Sequence, residues 1–173
     1  MTHVVGIADM KISNREEDLL ITYALGSCLG VAAYDPVARI GALLHTMLPS
    51  SEMDPNKAMI NPYMFVDTGV QSMLEELFKL GARRERLVIK VAGGACMNGK
   101  NGDFFQIGKR NFLMLREVLS RHGISLKSYD VGGNFPRTMA LEVGSGRVMV
   151  KVWGAVSYTH LRAHETSLHL VCR

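Results

Sequence analysis

The chain has 173 residues, of which 47% are hydrophobic and 21% charged, and its formal net charge is +4. This composition is typical of a globular domain with an apolar core and excludes an intrinsically disordered chain. No apolar run reaches the roughly 18 residues that a membrane span needs, and the dispersed positive charge gives little indication of nucleic-acid binding.

The N-terminal region predicts two strands separated by a loop. Residues 4–8 form a short apolar strand candidate, and residues 11–18 (KISNREED) are polar enough to predict a loop. Residues 19–25 (LLITYAL) are predicted as a second strand, which ends at Gly26.

The next two apolar segments predict a hairpin. Residues 29–34 and 39–45 flank the sequence Asp35-Pro36-Val37-Ala38. Asp at the first position and Pro at the second favour a type I turn. Two apolar segments joined by such a turn are typical of antiparallel strands.

The remainder predicts two long helices and four further strands. Residues 63–80 and 107–122 carry apolar side chains at helical spacing, and each segment is followed by a glycine. The predicted strands comprise residues 87–92, 124–131, 138–143 and 147–153. The whole order predicts an α+β fold with two long helices and about seven or more strands in layers.

The last segment, residues 156–173, is predicted to differ in origin from the rest. Its first eleven residues (VSYTHLRAHET) match a translation of a transposon-type sequencing adapter, and such scars are excluded from fold reasoning. We therefore predict a domain over residues 1–155 and a non-native, adapter-derived tail over residues 156–173. The exclusion removes several residues that would suggest a metal-binding tail: His160, His164, His169 and Cys172.

The predicted hairpin brings two reactive side chains together. A turn that pairs Asp35 with Ala38 places Cys28 directly opposite His45, at a Cβ separation of about 4.5–5.5 Å. An imidazole at that distance can take the thiol proton and generate a nucleophile. Thr22, on the preceding strand, offers a hydroxyl that can accept the imidazole N–H. The structural alternative is a small buried cysteine near a core histidine.

Two other kinds of site are compatible with the sequence. The loop from Gly94 to Asn101 matches most of a phosphate-binding P-loop, but Asn101 stands where a Ser or Thr would hold magnesium. Cys28, His45 and Cys96 are candidate metal ligands without CxxC or HxxxH spacing. We predict neither a cofactor nor a metal site, and we predict Cys96 to be a buried structural thiol. Free thiols without a secretory signal predict a cytoplasmic protein.

Several motifs together resemble the chemoreceptor glutamine deamidase family, CheD. The resemblance covers essentially residues 3–153 in order. It rests on Thr22 and on the motifs LGSC (25–28), YDP (34–36), LLHTMLP (43–49), LGARRERLVIKVAGGACM (80–97), IGKRNFLMLREVLSRHGI (107–124), DVGGNFPRTM (130–139) and SGRVMVKV (145–152). Many family members have Gly-Arg where this chain has Phe135-Pro136-Arg137, which leaves the shape of that loop and any partner docking there open.

The resemblance implies a protein-glutamine glutaminase that converts selected glutamines of methyl-accepting chemotaxis proteins to glutamate and ammonia. It implies Cys28 as nucleophile, His45 as base and Thr22 as the third catalytic member. It also implies an α/β/β sandwich similar to the deamidase domain of cytotoxic necrotizing factor toxins. The implied partners are the chemotaxis receptors and the phosphatase CheC. A chain that acts chiefly by binding and regulating CheC is the alternative.

Overall fold

A computed structural model describes residues 1–96, 106–154, 158–162 and 167–169. The strands are β1 (Thr2–Val4), β2 (Asp9–Ser13), β3 (Leu19–Leu25), β4 (Leu29–Asp35), β5 (Ile40–Thr46), β6 (Val88–Gly93), β7 (Leu126–Gly132), β8 (Arg137–Glu142), β9 (Arg147–Val152), β10 (Thr159–His160) and β11 (Ser167–His169). The α-helices are α1 (Pro55–Ile60), α2 (Val66–Lys79) and α3 (Ile107–Arg121), and single 3-10 turns occupy Ser51–Met53, Pro62–Met64 and Arg84–Arg86.

The strands form two sheets. The first has the order β1-β3-β8-β9-β10, and the second has the order β11-β7-β6-β4-β5-β2. Pairing is parallel between β1 and β3, between β6 and β7, and between β7 and β11, and it is antiparallel elsewhere. The mixed α+β class with two sheets is therefore confirmed.

The second sheet is the middle layer of the molecule. Alternate residues of β4 point in opposite directions: Leu29, Val31 and Ala33 pack in one cluster with the apolar faces of α2 and α3, whereas Ala32 packs in a second cluster against β8 and β9. All seven residues of β4 and all seven of β5 are consequently buried. A strand covered on both faces loses the polar alternation of a half-exposed strand, which is why both segments are continuously apolar.

Most predicted elements occur within two or three residues of their expected bounds, but the N-terminal prediction was wrong. The chain forms β1 at residues 2–4 instead of 4–8, and β2 at residues 9–13 overlaps the start of the loop predicted over residues 11–18. Ala8 has φ +54 at the turn between them. In β2, Met10 and Ile12 alternate with polar residues and pack on the helix-side core, so a period of two was present and overlooked. Helix α1 was also missed, although Asp54 caps it and Pro55 occupies its first turn.

The β4–β5 turn is longer than predicted. Asp35 pairs with Ile40 rather than with Ala38, because its carboxylate accepts hydrogen bonds from the N–H groups of Val37 and Ala38 and Arg39 then adopts a left-handed φ of +53. The ladder therefore places Gly30, not Cys28, directly opposite His45.

The described parts of the tail extend both sheets at their edges. Residues 159–160 pair with β9, and residues 167–169 pair with β7. The non-native origin of residues 156–173 and the domain limit at residue 155 stay predictions. In the part of the chain that the structure describes, no helix is long and apolar enough to cross a membrane.

Candidate active site

A hydrogen bond between Thr22 and His45 joins the two sheets. Thr22 lies on β3 of the first sheet and His45 on β5 of the second, and the Thr22 Oγ1 atom is 2.7 Å from the His45 Nδ1 atom. Thr22 is completely buried and His45 is 1% exposed. The prediction that these two side chains meet is confirmed, and the contact lies in the layer between the sheets.

The direction of this hydrogen bond follows from a second one. The Thr22 hydroxyl also lies 2.8 Å from the carbonyl oxygen of Val5, to which it donates. A hydroxyl has a single proton, so Thr22 must accept at Nδ1 of His45. The imidazole therefore carries its proton on Nδ1, and Nε2 keeps its lone pair.

The free nitrogen of His45 is buried. Within the described residues, Nε2 has no hydrogen-bond partner, so a lone pair is available inside an apolar layer. Burial lowers the pKa of His45 to about 4, because a charged imidazolium would lose its hydration there. At neutral pH the ring is an uncharged base.

Cys28 lies one residue before β4 and packs against the core between the sheets. Because Gly30 faces His45, Cys28 takes the diagonal position on the same side of the ladder, where α-carbons lie about 7–8 Å apart and Cβ atoms somewhat closer. The residue between them is a glycine and contributes no side chain. The prediction of a directly facing pair was wrong, but the corrected register keeps both side chains on one face.

The Cys28 thiol is protonated at neutral pH. It is a free, half-buried cysteine, and burial raises its pKa. The residue's own backbone N–H, which interacts with the sulfur, opposes this shift. The resting site therefore holds a neutral thiol and a neutral imidazole rather than a preformed ion pair.

The loop before β4 is held by hydrogen bonds to three successive carbonyl groups. Gly26 accepts from the N–H of Ala95, Cys28 accepts from the N–H of Gly94, and Ser27 accepts from the side-chain amide of Asn111. The close approach at Cys28 requires glycine in the neighbouring strand, because a Cβ on Gly93 would lie 2.2 Å from the Cys28 carbonyl oxygen. No role for Asn111 was predicted from the sequence.

Arg137 is buried beside the same loop. Its guanidinium donates to the carbonyl of Gly93 and to the carboxylate of Asp130, at 3.3 Å and 3.1 Å. It starts β8, where it pairs with Leu25 at the end of β3. Arg137 therefore braces the strand ends around the site, whereas Phe135, the local departure from the family pattern, is exposed.

The sequence also suggested a P-loop-like segment, a set of candidate metal ligands and a structural thiol at Cys96. Residues 97–105, which contain most of the P-loop-like segment, lie outside the described residues. Among the described residues, no group of three His, Cys, Asp or Glu side chains could hold a metal ion. Cys96 is buried but disulfide-bonded, so the prediction of a structural thiol was wrong for Cys96, and Cys28 is the free cysteine of the described chain.

Comparison with known proteins places the chain beside chemotaxis proteins. A family model described as CheD chemotactic sensory transduction matches residues 47–152. A protein from Solibacter usitatus named "Probable chemoreceptor glutamine deamidase CheD" is 48% identical over 86% of this chain and 87% of its own length. Similarly named proteins from Syntrophus aciditrophicus and Symbiobacterium thermophilum are 42% and 43% identical, each over 87% of this chain and over 94% and 92% of their own lengths.

A solved structure is also similar. It is the crystal structure of a Neisseria meningitidis protein of the DUF152 family, which matches 76% of this chain and 62% of its own length with a TM-score of 0.41 and 10% sequence identity.

Proposed function

The chain belongs to the CheD family, and from that premise we propose that it hydrolyses selected glutamine side chains of methyl-accepting chemotaxis proteins to glutamate and ammonia. The names of its relatives support chemoreceptor glutamine deamidation. The observation that carries the proposal within this chain is the buried Thr22–His45 hydrogen bond on the same face as a free cysteine. The proposed catalytic residues are Cys28, His45 and Thr22.

In the proposed mechanism, the Cys28 sulfur attacks the carboxamide carbon of the bound glutamine while Nε2 of His45 takes the thiol proton. The resulting tetrahedral intermediate collapses, the C–N bond breaks, and the imidazolium returns that proton to the departing nitrogen as ammonia leaves. A thioester to Cys28 remains. His45 then takes a proton from water as the water oxygen attacks the thioester carbon. The C–S bond breaks, His45 returns this proton to the sulfur, and the receptor side chain is released as glutamate.

The burial of both groups supports this order of events. With the pKa of His45 lowered and that of Cys28 raised, proton transfer accompanies the attack instead of preceding it. The 2.7 Å bond to Thr22 holds Nδ1 in its protonated form, so the lone pair stays on Nε2. The proposed mechanism requires the Cys28 sulfur to approach that nitrogen, and such contacts commonly tighten only when substrate binds.

Replacing Thr22 by valine is expected to lower kcat roughly 10-fold, because loss of the hydroxyl removes the acceptor that fixes the Nδ1–H tautomer, at a cost of about 1.4 kcal/mol. The measurement is ammonia release from a receptor cytoplasmic domain under saturating substrate. Thr46→Val is the matched control: Thr46 is equally buried, and within the described residues its hydroxyl has no partner. Equal activity of both variants would contradict a role for Thr22.

The lowered pKa of His45 and the raised pKa of Cys28 predict how activity and alkylation depend on pH. Because the folded-state pKa of His45 is about 4, kcat/KM is expected to stay level through neutral pH and to fall as the pH drops through about 4, where the base becomes protonated. Alkylation of Cys28 by iodoacetamide is expected to accelerate only in the alkaline range, since its pKa is raised. Circular dichroism at each pH separates titration from unfolding. An acid limb centred near pH 6.5 would contradict the neutral, buried imidazole.

The direct test of the proposed function is mass spectrometry of a chemoreceptor cytoplasmic domain incubated with the protein. Replacement of an amide NH₂ by OH changes the mass of the peptide that contains the glutamine, and peptide mapping identifies the glutamines that react. An unchanged receptor with a correctly folded protein would overturn the proposal.

Binding and regulation of CheC, the location in the cytoplasm, and the similarity to the cytotoxic necrotizing factor deamidase domain stay predictions. Binding of a CheC phosphatase to wild-type and Cys28→Ala protein separates the regulatory alternative from catalysis, because only the deamidation requires the thiol.

A further inference from the structure

Asn111 is a polar side chain on the apolar face of α3. It is completely buried, and its neighbours on that face are Phe112, Leu115, Val118 and Leu119. Burying an amide without hydrogen-bond partners destabilises the folded state. The hydrogen bonds of Asn111 therefore indicate its role. Both of its donors are used, and both acceptors belong to segments beside the proposed catalytic residues.

The two hydrogen bonds of Asn111 close the open end of the β4–β5 ladder. Its Nδ2 atom donates to the carbonyl of Ser27 and to the carbonyl of Met47, each at 2.9 Å. The last ladder pair is Leu29 with Thr46, so the side-chain amide bridges the two strands just where backbone pairing stops. One end of the bridge adjoins Cys28, and the other lies two residues after His45.

The bond to Ser27 also fixes the orientation of an N–H group. The Ser27 carbonyl and the Cys28 N–H belong to the same planar trans peptide, in which they point in opposite directions. With the carbonyl held toward α3, the Cys28 N–H must point away from the helix. This is the side of β4 on which the Cys28 side chain packs, in the layer between the two sheets. The Gly26 carbonyl, held by Ala95, orients the Ser27 N–H in the same manner.

We infer that Asn111 is a positioning residue, which locks the Ser27–Cys28 peptide so that the Cys28 N–H faces the oxyanion formed when the thiol attacks a glutamine carboxamide. This inference rests on the proposed deamidation. Backbone N–H groups beside a nucleophile stabilise a tetrahedral oxyanion best when they are held rigidly before the reaction. Asn111 supplies that rigidity from behind the loop and does not itself touch the substrate.

Cys28 takes part in two measurable reactions, attack on a carboxamide and alkylation by iodoacetamide. If Asn111 only held the loop together, its loss would slow both reactions. Attack on a carboxamide creates an oxyanion and needs the oriented N–H. Alkylation by iodoacetamide displaces iodide at a saturated carbon and creates no oxyanion. Loss of Asn111 should therefore slow deamidation while alkylation of Cys28 continues at its usual rate.

The test compares Asn111→Leu with wild type in both reactions. The leucine keeps a similar volume and removes both donors. We expect kcat for ammonia release from a receptor cytoplasmic domain to fall about 100-fold with KM changed by less than about threefold, as for loss of an oxyanion donor. The alkylation rate at fixed pH should stay within about threefold of wild type. Leu115→Ala, one turn along the same buried face, is the control for general loss of packing and should keep its kcat per folded molecule.

Each other outcome is decisive. An equal fall in deamidation and alkylation would overturn the inference, because Asn111 would then only hold the loop together. Unchanged deamidation would overturn it as well. Wild-type protein that releases no ammonia would overturn the proposed function and this inference with it. An active wild type, an inactive Cys28→Ala and a fully active Asn111→Leu would overturn the inference alone.

If Asn111→Leu does not fold, Asn111→Asp serves the same purpose. Its carboxylate has no donor, but the protonated acid has one. The kcat of this variant relative to wild type should therefore rise as the pH is lowered from 8 to 5.5, a range in which His45 stays neutral. A ratio that does not change with pH would overturn the inference.

Discussion

Replacement of Cys28 by alanine is expected to abolish ammonia release, by at least about 10⁴-fold, because the thioester route has no other nucleophile. The fold should persist. Cys28 is half-buried at the margin of the core between the sheets and supports the loop through its backbone carbonyl, which alanine retains. Ammonia release and the thermal unfolding midpoint are measured on the same preparation.

The control for this variant is Ser27→Ala, which changes the neighbouring side chain and leaves both the thiol and the loop backbone in place. We expect it to keep most of the wild-type activity. Trapping provides a second readout: wild-type protein quenched in acid during turnover should carry a substrate mass on the peptide that contains Cys28. A Cys28→Ala protein with more than about 1% of wild-type kcat would contradict the covalent mechanism.

Replacement of Asp35 by alanine is expected to have the largest effect on stability. The Asp35 carboxylate is completely buried and accepts hydrogen bonds from the side chain of Arg86 and from the N–H groups of Val37, Ala38 and Arg83. Its removal leaves these donors without their charged acceptor. We expect the free energy of unfolding to fall by about 3 kcal/mol, measured by urea denaturation at pH 7.

The contribution of Asp35 to the free energy of unfolding is expected to depend on pH. These contacts lower the pKa of Asp35 from 3.8 to about 2, so the stabilisation is complete above about pH 4 and is lost as the pH falls toward 2. The difference between wild type and Asp35→Ala should therefore shrink over that interval. Asp54→Ala, which removes a partly exposed helix cap, should cost only about 1 kcal/mol. An equal cost for the two variants would contradict the role assigned to Asp35.

The sequence was sufficient for elements whose signal is local. Residues 19–25 form β3 as predicted, because a continuous apolar run of that length, ended by glycine, suits a buried strand. Thr22 and His45 were assigned to each other correctly, although the Thr22 role was implied by family resemblance as much as by chemistry. Their contact depends on how two sheets pack, which no local pattern encodes.

The register of the hairpin was not predictable from the Asp-Pro signal alone. Asp35 was interpreted as a turn residue only, but its carboxylate oxygens also accept hydrogen bonds from Arg86, which lies far along the chain. The turn is longer than predicted because it includes Arg39 in a left-handed conformation. That extension moved Gly30 opposite His45. Asn111 was overlooked for a similar reason. Its signal was a single amide among apolar residues at helical spacing, and its partners lie 84 and 64 residues away.

The strands that surround Thr22 in its sheet are synthesised at widely separated times. Its strand, β3, lies between β1 and β8, and β8 is joined in turn to β9. His45 is synthesised soon after Thr22, but β3 lacks its antiparallel neighbour until residues 137–142 have emerged. Because non-local strand pairing awaits the later segment, the sheet that carries Thr22 stays incomplete until β8 has been synthesised. A ribosome-bound chain that ends before β8 is therefore expected to contain Cys28 and His45 without the neighbouring strand that completes the sheet of Thr22.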